Sequence, residues 1–218
     1  MKRLILKFFT RLIRQIRIFW LFKIGVFIRI FKKRPYPVNK DGKVLIHVGC
    51  GELDDRRFIN VDSRVAGHVH VVGTIEDFPC LFPEGYADLI YACHVLEHVS
   101  HLKLIETLLG LRRCLKKGGI LRVSVPDFKT LVYIYENNKS LDYIIPPLMG
   151  GQGYAFNFHH SVFDESYLSR LFLEAGFSQV RLWDPQKVEY HEFDDWSRRK
   201  INLSGQEFSI SLNLEAVK

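Results

Sequence analysis

Beyond residue 42, short runs of β-branched and aromatic residues alternate with stretches in which apolar positions recur every three to four residues. The apolar runs predict strands over 43–48, 57–61, 68–72, 87–92, 119–125, 178–183 and 207–216. The periodic stretches predict helices over 98–115, 128–137 and 165–175. Strands alternating with helices imply an α/β sheet, mostly parallel, with helices on both faces. The last two strands follow the final helix with no long helix between them, so they are placed to pair as antiparallel neighbours.

Residues 2–17 carry a different pattern. Basic residues at 3, 7, 11, 14 and 17 fall on one side of a helix, and Leu4, Ile5, Phe8, Phe9, Leu12, Ile13 and Ile16 fall mostly on the other. Residues 18–31 are more apolar, but Lys23 and Arg29 interrupt them, and the run is shorter than the ~20 residues a bilayer span needs. The segment reads as an interfacial anchor with Trp20 and several Phe at headgroup depth and its cations on anionic lipid. A helix packed on its own domain or in a dimer interface is a second reading. A cleaved targeting segment is a third, although a small-residue cleavage site and an uninterrupted apolar core are lacking. Residues 33–42 are rich in Pro, Gly and Lys. The chain therefore divides into a basic amphipathic helix (1–34), a linker (35–42) and a domain (43–218).

With 218 residues, 47% hydrophobic and 25% charged, the chain is long enough for one sizeable core and unlike a disordered or collagen-like sequence. Its net charge of +7 belongs to one end. Residues 1–34 hold eleven basic residues and the first acid is Asp41, so the remainder is mildly acidic. The large aliphatic and aromatic residues of the basic segment favour a lipid surface over nucleic acid, whose binding arms are polar. Cys50, Cys80, Cys93 and Cys114 are scattered without a Cys-x-x-Cys pair, which points to reduced thiols in a cytoplasmic setting rather than a disulfide framework or zinc ribbon.

The chemistry concentrates at the ends of the predicted strands. Val44-Leu-Ile-His-Val-Gly-Cys-Gly51 runs a buried strand into a Gly-x-Gly turn, and Phe58-Ile-Asn-Val-Asp62 ends the next strand on an acid. Glycines at 49 and 51 let the backbone turn sharply and approach a ligand. The carboxylate of Asp62 is placed to accept both hydroxyls of a ribose, the nucleoside-binding logic of doubly wound sheets. A plain strand-to-loop turn also accounts for Gly-x-Gly taken alone. Gly73-Thr-Ile-Glu-Asp-Phe-Pro79, where Ile75 and Glu76 could face an adenine, follows the third strand. Ala87-Asp-Leu-Ile-Tyr-Ala-Cys-His-Val-Leu-Glu-His98 and Leu115-Lys-Lys-Gly-Gly-Ile-Leu-Arg-Val-Ser-Val-Pro-Asp127 add two more strands with polar tips.

As an ordered set, Val-Gly-Cys-Gly, Val-Asp, Ala-Asp-Leu-Ile-Tyr-Ala, Leu-Glu-His-Val and Leu-Lys-Lys-Gly-Gly-Ile-Leu resemble the class I S-adenosylmethionine-dependent methyltransferases, in particular the small type 11 group, over about residues 43–217. The resemblance implies a Rossmann-like, doubly wound, seven-stranded sheet with an antiparallel last strand and S-adenosylmethionine as methyl donor. It also implies that Val48, Gly49, Cys50 and Gly51 lie under the donor's methionine and ribose and that Asp62 holds the ribose hydroxyls. Ile75 and Glu76 would flank the adenine, and Ala92, Cys93 and His94 would line the pocket near the sulfonium. Three departures stand out: His47 where the family usually has an acid, Leu53 at the third glycine position, and Thr74 in place of a common acid. Only ten residues separate Gly51 from Asp62, so the first crossover helix is at most a turn or two.

A sulfonium donor is already a strong electrophile, so such an enzyme mainly aligns its acceptor, and it needs a base only where the acceptor must lose a proton. The candidates are His94, His98, Asp127, His159 and His160, with His98, Asp127 and His160 preferred for catalysis. The acceptor cover is expected in an insertion at 128–163. His94-Val-Leu-Glu-His98 also fits the inverted zinc-protease pattern, with Glu174 downstream as third ligand. That metallohydrolase reading leaves Gly49, Gly51 and Asp62 without a role. Some class I methyltransferases, among them small-RNA 2′-O-methylating enzymes and a ubiquinone-pathway enzyme, place a similar cluster around a divalent metal. By that likeness His94, Glu97, His98 and His159 or His160 would be the ligands. The expected activity is methyl transfer to a small-molecule, glycan or lipid-linked acceptor. A membrane-recruited, non-catalytic scaffold of the same fold is the alternative.

Overall fold

The computed structural model describes residues 34–203 and 205–218; the amphipathic segment at 1–33 lies outside the described residues. In chain order the strands are β1 (Leu45–Val48), β2 (Phe58–Asp62), β3 (Val71–Val72), β4 (Ala87–Cys93), β5 (Leu115–Pro126), β6 (Ser178–Leu182), β7 (Lys200–Leu203), β8 (Gln206–Ser209) and β9 (Ser211–Val217). The helices are α1 (Phe78–Leu81), α2 (Leu104–Cys114), α3 (Phe128–Asn138), α4 (Ile145–Met149) and α5 (Glu165–Glu174). Seven strands form one sheet in the order β3-β2-β1-β4-β5-β9-β6, while β7 and β8 make a separate hairpin. Pairing is parallel from β3 through β5, and β9 runs antiparallel to both of its neighbours. The chain winds outward in both directions from β1 and β4, so the crevice at their carboxyl ends is the switch point at which such sheets bind ligands.

Side chains alternate along each strand and so divide the core. Ile46, Val48, Ile59, Val61, Ile90 and Ala92 pack under Phe78, Leu104, Leu108, Leu111, Leu168 and Phe172 of α1, α2 and α5. The opposite face, with Leu45, Phe58, Leu89, Tyr91 and Cys93, meets Trp183, Val188, Tyr190 and Phe193. Thus one face carries the helices expected on both, and the other is covered among the described residues by the irregular segment at 183–199. The cause is crossover length: nine residues separate β1 from β2 and eight separate β2 from β3, too few for a helix and its two turns. Asp55 instead grips the Arg57 backbone and guanidinium, and His68 Nε2 meets the Gly51 carbonyl at 2.9 Å.

The irregular cover satisfies its own polar groups. Tyr91 Oη donates to Asp195 Oδ2 at 2.5 Å, Ser197 Oγ donates to Asp195 Oδ1 at 2.6 Å, and Trp183 Nε1 donates to the Val123 carbonyl at 3.0 Å. Burial alone would raise the Asp195 carboxyl, but bonds from His191, Ser197 and Tyr91 hold it well below the usual carboxylate range. Beneath it, His47 is buried among the rings of Phe58, Tyr91 and Phe193, and its Nδ1 has no hydrogen-bond partner among the described residues. Burial pushes the His47 imidazole down to about 4. The unfolded chain then takes up this proton more readily, so the associated stability is complete above pH ~6.5 and is lost as pH falls toward 4. We expect urea unfolding at pH 5 and 7.5 to differ through this residue by roughly 2 kcal/mol. His47→Leu should flatten that difference; an unchanged slope would remove the assignment.

Several predicted elements shift. The strand over 68–72 contracts to Val71–Val72, because a turn closes from Val69 N to the Ala66 carbonyl. The helix over 98–115 starts at Leu104, and residues 96–98 form a single 3-10 turn. The strand over 119–125 extends back to Leu115, which pairs with Ala87 beyond a bulge. The strand over 207–216 breaks at Ile210 into β8, which pairs with β7, and β9, which enters the main sheet. A third apolar cluster joins Leu131 and Ile134 of α3, Ile144 and Leu148 beside and within α4, and Leu203, Ile210, Ile201 and Phe208 around the hairpin. It forms a cover that begins where β5 ends. Among the described residues no helix is long and apolar enough to cross a membrane.

Candidate functional site

The turn after β1 is built from two glycines in the left-handed region, Gly49 at φ +63 and Gly51 at φ +60. A Cβ on Gly49 would lie 2.2 Å from Val95 Cγ2, so only glycine lets the turn close onto the segment that follows β4. Cys50 N donates to the Val61 carbonyl at 3.1 Å, and Gly51 N donates to Asp62 Oδ2 at 2.8 Å. Asp62 is thereby fixed, 5% exposed, at the carboxyl end of β2. Its other oxygen, Oδ1, accepts from the Arg64 backbone at 2.8 Å and from Arg64 Nε at 3.1 Å. Burial would lower the Arg64 guanidinium, but its bond to Asp62 raises it. Burial also pushes the Cys50 and Cys93 thiols up, so neither is a thiolate nucleophile. The turn and this carboxylate fit an adenosyl group: Gly51 leaves room where a Cβ would stand, with Arg64 3.8 Å away, and the acid lies beside it.

The remaining donor residues divide. Val48 pairs in register with Ala92, so the ends of β1 and β4 lie side by side. The Ala92 side chain packs in the core on the helix side, and Cys93 packs on the opposite face. Only their backbone borders the crevice. Ile75 is 4% exposed within the core, and Glu76 turns outward to Lys103 Nζ at 3.1 Å. Neither side chain is presented as a wall for an adenine, because α1 starts three residues after Ile75 and draws that residue inward with Phe78.

Beside the glycine turn, the residues after β4 bring together a second group. Glu97 is 1% exposed, and neither carboxylate oxygen has a hydrogen-bond partner among the described residues. Its Oε1 lies 3.2 Å from His94 Nδ1 and 3.9 Å from His159 Nε2. Ligand atoms of Glu97, His98 and His159 all fall within 4.8 Å of one another. His98 Nδ1 meets the Phe158 carbonyl at 3.0 Å, and His159 Nδ1 meets the Pro147 carbonyl at 3.0 Å. A carbonyl can only accept, so in each neutral ring Nδ1 carries the hydrogen and Nε2 presents a lone pair. Burial lowers the His159 imidazole and outweighs the Glu97 charge, which favours that neutral form. Burial would raise the Glu97 carboxyl, but His94, His98 and His159 together hold it low. The cluster therefore offers a carboxylate and two imidazole lone pairs to one space. That donor set suits a proton in transit or a divalent cation, and the Phe158 and Pro147 carbonyls fix both rings.

The other candidate bases and ligands lie elsewhere. Asp127 is the N-cap of α3, accepting from Lys129 N at 3.2 Å and Thr130 Oγ1 at 2.6 Å, so both oxygens are committed to the helix end. His160 is exposed; its backbone N donates to the Glu97 carbonyl, while His159, one residue earlier, supplies the side chain. His94 is in the left-handed region at φ +53, with Nε2 2.9 Å from Ser211 Oγ. It contacts Glu97 but does not share the three-residue cluster. The inverted zinc-protease geometry fails for the same reason: the motif lies on a 3-10 turn rather than an α-helix, and Glu174 pairs with Arg170 on α5. Arg64 and Val95 were not among the residues singled out by sequence reasoning. The Asp62-Ser63-Arg64 spacing, which suits a backbone N–H returning to an aspartate, was the available signal for Arg64.

Residues 26–182 match a family model described as a methyltransferase domain. The fold is similar to the crystal structure of a SAM-dependent methyltransferase from Archaeoglobus fulgidus, with a TM-score of 0.53 at 16% identity over 89% of this chain and 93% of that one. It is also similar to a SAM-dependent methyltransferase from Thermotoga maritima, with a TM-score of 0.50 at 18% identity over 100% of both chains. At these identities the likeness is one of fold. No curated protein matches the sequence.

Proposed function

The chain belongs to the methyltransferase-domain family, and from that premise we propose that it transfers a methyl group from S-adenosylmethionine to a hydroxyl of a glycan, lipid-linked or other small-molecule acceptor. The observation that supports the reading is the contact of Val95 with the Gly49 turn, two residues before Glu97 of the Glu97, His98 and His159 cluster. The bound donor supplies an electrophilic methyl carbon. Asp62 accepts the ribose hydroxyls, and the turn at Gly49 and Gly51 admits the donor's backbone-hugging part. His159 Nε2 takes the acceptor's proton as its oxygen attacks, and Glu97 stabilises the imidazolium that results. The cover formed by α3, α4 and the β7-β8 hairpin excludes water from the encounter.

The unpartnered oxygens of Glu97 favour a second reading of the same cluster. Glu97, His98 and His159 would hold a divalent cation, whose chemistry is to lower the pKa of a bound acceptor hydroxyl. Metal analysis and assays in chelator separate the two: activity that survives complete removal of divalent ions leaves the imidazole base alone.

Radiolabelled methyl transfer to extract fractions tests the main reading, with label expected in a lipid or glycan fraction and absent with Asp62→Ala. Equal label with that variant removes the donor assignment. Calorimetry with S-adenosylmethionine distinguishes the enzyme from a scaffold, which would give no heat. The membrane part of the proposal rests on the basic amphipathic residues 1–34. In flotation with anionic vesicles, the full chain is expected to float and a chain starting at Pro35 to remain below; equal flotation would locate lipid binding elsewhere or nowhere.

A further inference from the structure

Asp62, the residue assigned to the donor's ribose, already has both oxygens engaged. Oδ2 holds the Gly51 backbone, and Oδ1 holds the Arg64 backbone and side chain. The two backbone bonds shape the turn, whereas the guanidinium bond is displaceable. Arg64 also reaches over the glycine turn: one terminal nitrogen stands 3.8 Å from the position a Cβ on Gly51 would occupy. The protein's own arginine thus borders the space that glycine leaves for a ligand. On its other side the guanidinium lies 5.2 Å from the centre of the Tyr154 ring, a cation–π contact with the acceptor-side insertion.

Tyr154 does not stand alone in that insertion. Its carbonyl accepts from Asn157 N at 3.0 Å, and the Asn157 carbonyl accepts from Gln152 N at 2.8 Å, closing a tight turn. The next two residues, Phe158 and His159, supply the carbonyl that orients His98 and the imidazole that faces Glu97. A continuous series of contacts therefore runs from the ribose carboxylate through Arg64 and Tyr154 to the proposed proton acceptor.

We propose that Arg64 is a gate between the two halves of the site. Its bond closes Asp62 Oδ1, and a ribose that displaces it frees Tyr154 and lets the 150–159 turn settle around the acceptor. The inference rests on the donor reading given above. It makes binding ordered, donor first, because the acceptor turn is tied back while Arg64 remains on Asp62. Arg64 is in these terms a positioning residue, since its release is what matters.

Calorimetry of the full chain with S-adenosylhomocysteine tests it in wild type, Arg64→Met, Tyr154→Ala and the double variant. Arg64→Met is expected to bind about fivefold tighter, the gain from no longer breaking one half-buried ion pair. Tyr154→Ala should bind tighter by a smaller factor, and the double variant should equal Arg64→Met, because both substitutions release the same restraint. Arg64→Lys, with its charge kept but its fork lost, should fall between wild type and Arg64→Met. An arginine serving only to stabilise the turn would instead weaken donor binding when removed. Unchanged or weaker binding by a folded Arg64→Met overturns the gate. Additive gains in the double variant overturn the relay through Tyr154. If wild type and Arg64→Met alike give no heat, the donor reading falls and the gate with it. Heat in wild type that Asp62→Ala abolishes keeps that reading standing whatever Arg64 does.

Discussion

Asp62→Ala is expected to lower kcat/KM for the donor by roughly 10²–10³-fold, the loss of two hydrogen bonds to a charged acceptor at about 1.5–3 kcal/mol each, partly compensated by water. The position is unforgiving because the acid is 5% exposed and cannot be replaced from a neighbouring strand. The same change removes the Oδ2 acceptor of Gly51 N, so the turn loosens where the donor must lie. Asp62→Asn separates the two contributions. An amide oxygen can still receive the Gly51 bond, yet it offers the ribose a weaker acceptor, so an intermediate loss is expected. Donor titration by calorimetry and initial rates on the same preparations provide the check, and an alanine variant within twofold of wild type would detach the carboxylate from donor binding.

Glu97→Gln carries the second large effect, and its sign differs between activity and stability. Methyl transfer should fall by about 10²-fold or more, because the side chain no longer offsets a positive imidazole or contributes a negative ligand. The fold should be unharmed. In the native protein the buried carboxylate has no hydrogen-bond partner among the described residues, a costly arrangement. Glutamine puts N–H groups into that space, where His98 Nε2 and His159 Nε2 can accept them. In chelator we expect the melting temperature to hold or rise by about 2–4 °C, the size of a 1 kcal/mol gain in a domain of this length. A stabilised, inactive variant identifies a group kept for chemistry at the expense of stability. A destabilised one makes Glu97 a structural acid, and an active one removes it from the reaction.

The frame of this protein was legible because strand ends obey short-range rules. Gly49 and Gly51 announce a turn that side chains cannot make, Asp62 ends a run of apolar residues, and the alternation of strand and helix fixes a parallel sheet. Periodicity could not show what replaced the missing helices. The segment at 183–199 has no repeat, and it covers the sheet through single contacts such as Trp183 to the Val123 carbonyl and Tyr91 to Asp195, each meeting across many residues of sequence. The break at Ile210 was hidden for a similar reason: residues 207–216 read as one strand, and only the partner of each half reveals two. At the site, the motif singles out Glu97 and His98, and that His159 rather than His160 lies beside them depends on which side of an extended segment faces inward. The place of Asp127 was not legible because an acid ending a strand and an acid starting a helix have the same letter; its bonds to Lys129 and Thr130 show that it caps α3. The burial of Ile75 was not legible because α1 is only four residues long and left no periodicity to show which way the preceding chain turns.

The position of β9 bears on how the molecule comes to exist at all. Residues 211–217 occupy an interior slot between β5 and β6, with both edges of the strand paired. Until those residues leave the ribosome, two neighbouring strands lack their common partner, and the nascent polypeptide presents a sticky gap rather than a finished layer. Assembly is consequently a long-range event, and a slow translation pause near residue 205 would lengthen the window in which chaperones must guard that gap.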